Sequence, residues 1–259
     1  MTNTISTLRT DTLAELGTGK NIPVSNSFTT GIVGSYAYNR HSTASFIGDS
    51  AANYFPNATN FSVSCWFNLN TLTPVTIVWS ISSGSIIHMG VTVDFTTSKL
   101  IARIYNAEGG HSDIGLVTVG TGEDHHAVVT YDGKTYNFYL DNVLVGSVDT
   151  TFLGFGADKF QIGAKGGTNY GDLVCDEVLM YSKTLTVSEI DTLYNKNSVT
   201  NSLVAKYSFE EGSGTLAHDT AFTSRSSYSW LNGLTITSVL GLTVLPISNS
   251  QVKLLLLNT

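Results

Sequence analysis

Three observations predict an all-β fold. From His126 to Gly146, apolar and polar residues alternate on both sides of an Asp132-Gly133 turn, the strongest short-range hairpin signal. Charged residues make up only 13% of the chain and Ser plus Thr about a quarter, beside 24 Gly and 12 each of Tyr and Phe, which suits many short strands joined by tight turns, with hydroxyls in place of charges facing water. The clearest helix signal is a single short one, Leu185 to Tyr194. At 259 residues the chain can form one large β domain or two small ones, and it is long enough to bury a substantial core.

Taken in order, residues 1–30 read as an N-terminal arm, with a short helix around Asp11-Thr-Leu-Ala-Glu-Leu16 followed by polar chain. A second turn at Asp141-Asn142 starts a third strand after the first hairpin. Phe160 to Tyr181 reads as strand, Gly-rich loop and strand. Thr186 then caps the helix, and Glu189, three residues on, closes a capping box. In residues 230–259, Leu234, Ile236, Leu240, Leu242 and Val244 alternate with small polar residues, a strand pattern, and the chain ends on the apolar run Leu254 to Leu257. Apolar segments of this kind need to be paired or covered, so 230–259 is expected either to be a β-rich docking and assembly segment, in a homotrimer or against a capsid or tail subunit, or to fold back as outer strands of its own sandwich.

Three stretches in order carry a resemblance: Phe61-Ser-Val-Ser-Cys-Trp-Phe67, the His126 to Gly146 hairpins, and Asp176-Glu-Val-Leu-Met-Tyr181 followed by Leu185-Thr-Val-Ser-Glu-Ile190. Together they resemble the laminin G-like domains of the concanavalin A-like lectin and glucanase superfamily, over roughly residues 31–195. The resemblance implies a two-sheet antiparallel jelly roll with one short helix, here spanning 31–229.

The family's opening strand is missing from its usual place ahead of Gly31-Ile-Val-Gly34 and Ser45-Phe-Ile-Gly-Asp49. It stands after the helix instead, as Leu203-Val-Ala-Lys-Tyr-Ser-Phe-Glu-Glu-Gly-Ser-Gly-Thr215. Either the jelly roll is circularly permuted or strand-swapped, with 203–210 as the completing strand, or a truncated second repeat starts here. A lone fragment of that size would leave its apolar face uncovered, which favours completion. Leu203, Ala205, Tyr207 and Phe209 are expected to share one face.

Composition also bounds the partners. A net charge of −7, with 13 scattered Lys and Arg, argues against a nucleic-acid partner. No apolar stretch reaches the roughly 20 residues of a membrane span, so no membrane insertion is expected. The N-terminus lacks a basic start followed by an apolar run, so conventional secretion is not expected. On that ground Cys65 and Cys175 are expected to be buried thiols, and the Asn57-Ala-Thr and Asn60-Phe-Ser sequons to be coincidental.

Enzymatic members of the superfamily carry closely spaced Glu and Asp on one concave face, flanking the scissile bond. Asp176 and Glu177 are adjacent, so on a regular strand they point to opposite faces, and no Ser or Cys sits in a nucleophile elbow. The chain is expected to be non-enzymatic. The resemblance implies calcium as the cofactor to consider, at Asp49, Asn53, Asp172 and Asp176, with Asn53 standing where the family has a charged Asp. Glycan contacts are expected on two loops, 106–113 and 165–172, through His111, Asp113, Asn169 and Tyr170. Two functions follow as expectations. One is a virus-particle surface component (capsid decoration, fibre or tail-associated) bound to other virion subunits and to a host-surface glycan. The other is a carbohydrate-binding module or adhesin of a cell-surface or extracellular protein.

Overall fold

The computed structural model describes residues 22–23, 28–40, 55, 59–72, 76–83, 86–94, 96–105, 110–152, 159–164 and 171–221. The expected N-terminal helix, the Ser45–Asp49 segment, the site residues Asp49, Asn53, Asn169 and Tyr170, and the apolar stretches at 234–244 and 254–257 lie outside them. Among the described residues no helix is long and apolar enough to cross a membrane.

The strands are β1 (Ile22–Pro23), β2 (Phe28–Thr30), β3 (Tyr36–Arg40), β4 (Phe61–Leu69), β5 (Ile77–Ser83), β6 (Ile86–Val93), β7 (Leu100–Tyr105), β8 (His111–Val117), β9 (Asp124–Tyr131), β10 (Thr135–Leu140), β11 (Val143–Asp149), β12 (Lys159–Ile162), β13 (Leu173–Tyr181), β14 (Leu203–Tyr207) and β15 (Leu216–Ala217). One helix, α1 (Val187–Tyr194), lies between β13 and β14. Among the described residues β1 pairs only with β15. The rest form two antiparallel sheets: β12-β5-β6-β7-β8, and an eight-stranded one running β11-β10-β9-β4-β13. Beyond β13 the larger sheet forks, because Leu173–Cys175 pair with β3, itself edged by β2, and Val178–Tyr181 pair with β14. The strand expected after the helix therefore shares an edge of β13 with β3 inside the same sheet.

Between the sheets lies one apolar core. β4 contributes Val63, Cys65 and Phe67, β10 contributes Tyr136 and Phe138, and the smaller sheet contributes Trp79, Met89, Val91, Ala102, Ile104 and Phe160. Both cysteines are buried within it. The edge strands β8 and β11 close one side by near contact of Gly115 and Gly146. A Cβ on Gly146 would lie 2.7 Å from the Gly115 nitrogen, and one on Gly115, whose φ is 98°, would lie 2.4 Å from the Phe138 ring. Asp141 and Asn142 both take positive φ (50° and 66°), as a tight turn between β10 and β11 requires.

A second cluster covers the outer face of the larger sheet, where α1 lays Ile190 and Leu193 on Val128, Leu179 and Tyr181. Eight residues are too few for an isolated helix to be stable, so packing and caps hold it. Thr186 and Glu189 form the expected capping box, and Lys183 pairs with Glu189. Trp66 belongs to this outer face and not to the inter-sheet core. Its ring stacks on His126 (4.9 Å between centroids) and Tyr194 (5.8 Å), with Lys196 Nζ 5.1 Å above it.

Two expectations about strand phase are corrected. Leu203 does not share a face with Ala205, Tyr207 and Phe209: the pairing slips between Met180 and Tyr181, Val204 is the extra residue, and Leu203 packs with the helix cluster. Asp176 and Glu177 do not sit on a regular strand either, because β13 breaks register between Asp176 and Leu179 and Glu177 takes φ 43°. Asp176 Oδ2 accepts the backbone N–H groups of Ile32 (2.9 Å) and Val33 (2.7 Å), whereas Glu177 pairs with Lys206 (2.7 Å).

Candidate functional site

The strongest cluster of binding groups lies on the outer face of the five-stranded sheet. Along β7, Leu100, Ala102 and Ile104 point into the core, so Arg103 and Tyr105 point out. Strand register extends each into a row. One row runs Gln161, Ser80, Gly90, Arg103, Asp113 across all five strands. Beside it His88, Tyr105 and His111 form a row of rings over β6, β7 and β8, with centroids 5.9 and 5.3 Å apart.

Arg103 and Asp113 make a fork, with Nε to Oδ1 and Nη2 to Oδ2 both at 2.6 Å, and the His111 Nε2 lies 3.7 Å from Asp113. The bonds to Asp113 raise the Arg103 pKa above its ordinary value, while partial burial opposes them. The fork keeps a quarter of its surface open and His111 keeps 43%. Gly90 leaves the floor between Ser80 and Arg103 as bare backbone, and a Cβ there would lie 2.5 Å from the Trp79 carbonyl oxygen. The floor is finished by Ser82 Oγ donating to Gln161 Oε1 (2.8 Å) and Ser80 Oγ to the Ala164 carbonyl (2.7 Å).

Of the expected glycan contacts, His111 and Asp113 are thus brought together, on strand β8 and not on a loop; Asn169 and Tyr170 lie outside the described residues. The sequence reading missed His88, Arg103 and Tyr105. A signal existed in the alternation of Leu100, Ala102 and Ile104 with Ile101, Arg103 and Tyr105.

Of the four calcium candidates only Asp172 and Asp176 lie among the described residues, and they make separate contacts. Asp172 Oδ1 and Asn39 Oδ1 both accept from the Asn70 amide (2.7 and 3.0 Å), and Asp176 is fully buried on backbone N–H groups. No group of three or more His, Cys, Asp or Glu among the described residues is placed to hold a metal ion.

His125 and His126 are structural. Asp141 accepts the His126 backbone N–H at 2.8 Å and lies 2.8 Å from the His125 Nδ1, raising the His125 pKa. Ser64 Oγ and His126 Nε2 lie 2.8 Å apart, but both residues are sealed from solvent and cannot meet a substrate.

Burial pushes His126 down to about 4 and Asp176 up to about 7. The two act on stability with opposite sign. On acidification from pH 6.5 the unfolded chain protonates its histidine before the folded chain does, so His126 costs stability. As pH rises from about 4 to 7 the unfolded chain loses an Asp proton that the folded chain keeps, so Asp176 costs stability in that direction. Each effect is on the order of 3 kcal/mol over its full window. Asp176→Asn should therefore lose stability between pH 7 and 4.5, and His126→Gln should gain it, relative to each other. Urea denaturation across that range checks this, and parallel slopes for the two variants would contradict it.

Residues 39–191 match the family model described as the concanavalin A-like lectin/glucanases superfamily, more than half of the chain. The chain belongs to that superfamily. No curated protein sequence matches it. Similar solved structures include domain 4 of an extracellular arabinanase from Geobacillus stearothermophilus in complex with arabinotriose, 16% identical over 67% of this chain and 86% of that one, with a TM-score of 0.52. The binding domain of paraclostridial mosquitocidal protein 1 is 16% identical over 70% of this chain and 48% of that one, with a TM-score of 0.54. A Trypanosoma rangeli sialidase is 18% identical, and the chain covers 28% of its length, with a TM-score of 0.48. In this chain the fold presents the two rows on its smaller sheet.

Proposed function

We propose that the chain is a carbohydrate-binding module that attaches to a glycan without altering it. The observation that carries the reading is the row of three rings beside a partly exposed Arg–Asp fork over β6, β7 and β8. Sugars expose C–H faces that pack on rings, and hydroxyls that use planar donor and acceptor groups, which is what these two rows offer. The arabinotriose held by the arabinanase domain supports it. Asp113 is the one carboxylate in the two rows, and its bond to Arg103 leaves it no partner for acid and base work. On a virus particle or a cell surface, such a module would provide attachment.

A glycan array followed by calorimetry tests this. The full chain should bind at least one oligosaccharide and leave it uncleaved, and Tyr105→Ala should abolish binding with unchanged melting. Absence of binding to any glycan, or hydrolysis of the bound one, would overturn the reading.

A further inference from the structure

We infer that this face takes an unbranched, neutral oligosaccharide laid across β6, β7 and β8, with a vicinal diol of one sugar unit held between Arg103 and Asp113. The inference rests on the carbohydrate reading above and specifies its ligand.

Direction and length come from the rings. His88, Tyr105 and His111 succeed one another at 5.9 and 5.3 Å because they stand on neighbouring strands, whose spacing is about 4.8 Å. A ligand that packs on all three must be extended at right angles to the strands and repeat on that scale. A chain of linked sugar rings does so, whereas a single sugar reaches one ring and part of the next.

Neutrality comes from the fork. Both carboxylate oxygens of Asp113 hold the Arg103 guanidinium, so that charge is already compensated. The carboxylate of an acidic sugar would have to displace Asp113 and leave it charged without its partner, which is expensive at a half-buried site. A neutral diol needs no such exchange. Nε and one N–H of Nη2 are used, so the remaining guanidinium N–H groups donate to one hydroxyl while Asp113 lone pairs accept from its neighbour. Arg103 and Asp113 stand two residues along their strands from Tyr105 and His111, so hydroxyls at the side of a sugar stacked on the rings face the fork.

Calorimetry on the full chain, with mono- to pentasaccharide series of arabinose, xylose and glucose beside trigalacturonate and sialyllactose, tests this. Affinity for the preferred neutral series should rise about ten-fold or more from the monosaccharide to the trisaccharide and then level off. His111→Ala, at an open position, should bind the trisaccharide no better than the wild type binds the disaccharide. Asp113→Asn should weaken neutral binding and strengthen trigalacturonate binding, because Arg103 is then uncompensated. Affinity independent of length, or wild-type preference for an acidic sugar, would overturn the inference and leave the carbohydrate reading standing. Failure to bind any of these sugars or any arrayed glycan would remove that reading, and the inference with it.

Discussion

A chain ended at Thr200 is expected not to fold, whereas one ended at Phe222 serves as the control for what lies beyond the described residues. The shorter chain loses β14, which hydrogen-bonds to Val178–Tyr181 of β13 and places Ala205, Tyr207 and Phe209 in the inter-sheet core. Phe209 stacks on Tyr38 with centroids 5.6 Å apart, and Glu210 accepts the backbone N–H groups of Ser35 and Tyr36, fixing the approach to β3. Removing two buried aromatic side chains costs about 3–5 kcal/mol each, against a total stability of roughly 5–15 kcal/mol for a domain. Lys206 would also abandon Glu177 beside the buried Asp176. Tyr207→Ala alone should cost about 3–5 kcal/mol, which assigns the effect to the strand and not to chain length. Circular dichroism and urea denaturation read both outcomes, and a Thr200-ended chain that melts like the Phe222-ended one would contradict the role given to β14.

Phe138→Ala and Trp66→Ala should each cost about 3–5 kcal/mol, for different reasons. Phe138 is fully buried between the sheets, with its ring against Gly115 where β8 meets β11, and the Gly115 backbone is poorly placed to collapse into the space left. Trp66 is 7% exposed on the opposite face of its sheet, and its loss would leave His126 without its stacking partner and Lys196 without the ring beneath it. Near-ultraviolet dichroism separates the two, since Trp66→Ala removes the indole stacked on His126 and Tyr194, whereas Phe138→Ala leaves that stack in place. Wild-type midpoints for either variant would mean that the burial described here is wrong.

The hairpins of β9, β10 and β11 and the capped helix were legible because their signals are local: period-two alternation, turn residues tolerant of positive φ, and a Thr and Glu three apart. Strands β5 to β7 were not assigned from the sequence. Both Ile77–Ser83 and Ile86–Val93 open on adjacent apolar residues before any alternation begins, and bulges at Ile77/Trp79 and Ile81/Ser82 shift which residues lie opposite one another. That omission concealed the candidate site. His111 and Asp113 were recognisable by residue type, but Arg103, Tyr105 and His88 join them only through cross-strand register, which no spacing in the sequence encodes. Bulges equally account for the phase of Leu203 and the separate roles of Asp176 and Glu177.

On the proposed function, the glycan lies on the outer face of the five-stranded sheet. The most direct test is amide and side-chain chemical-shift mapping of the full chain, titrated with the tightest-binding neutral trisaccharide. The largest shifts are expected at His88, Tyr105, His111 and the Arg103 side chain, with little change around Trp66 and α1. Shifts centred on the Asp172 rim or on the helix face, with β6 to β8 unmoved, would contradict that placement.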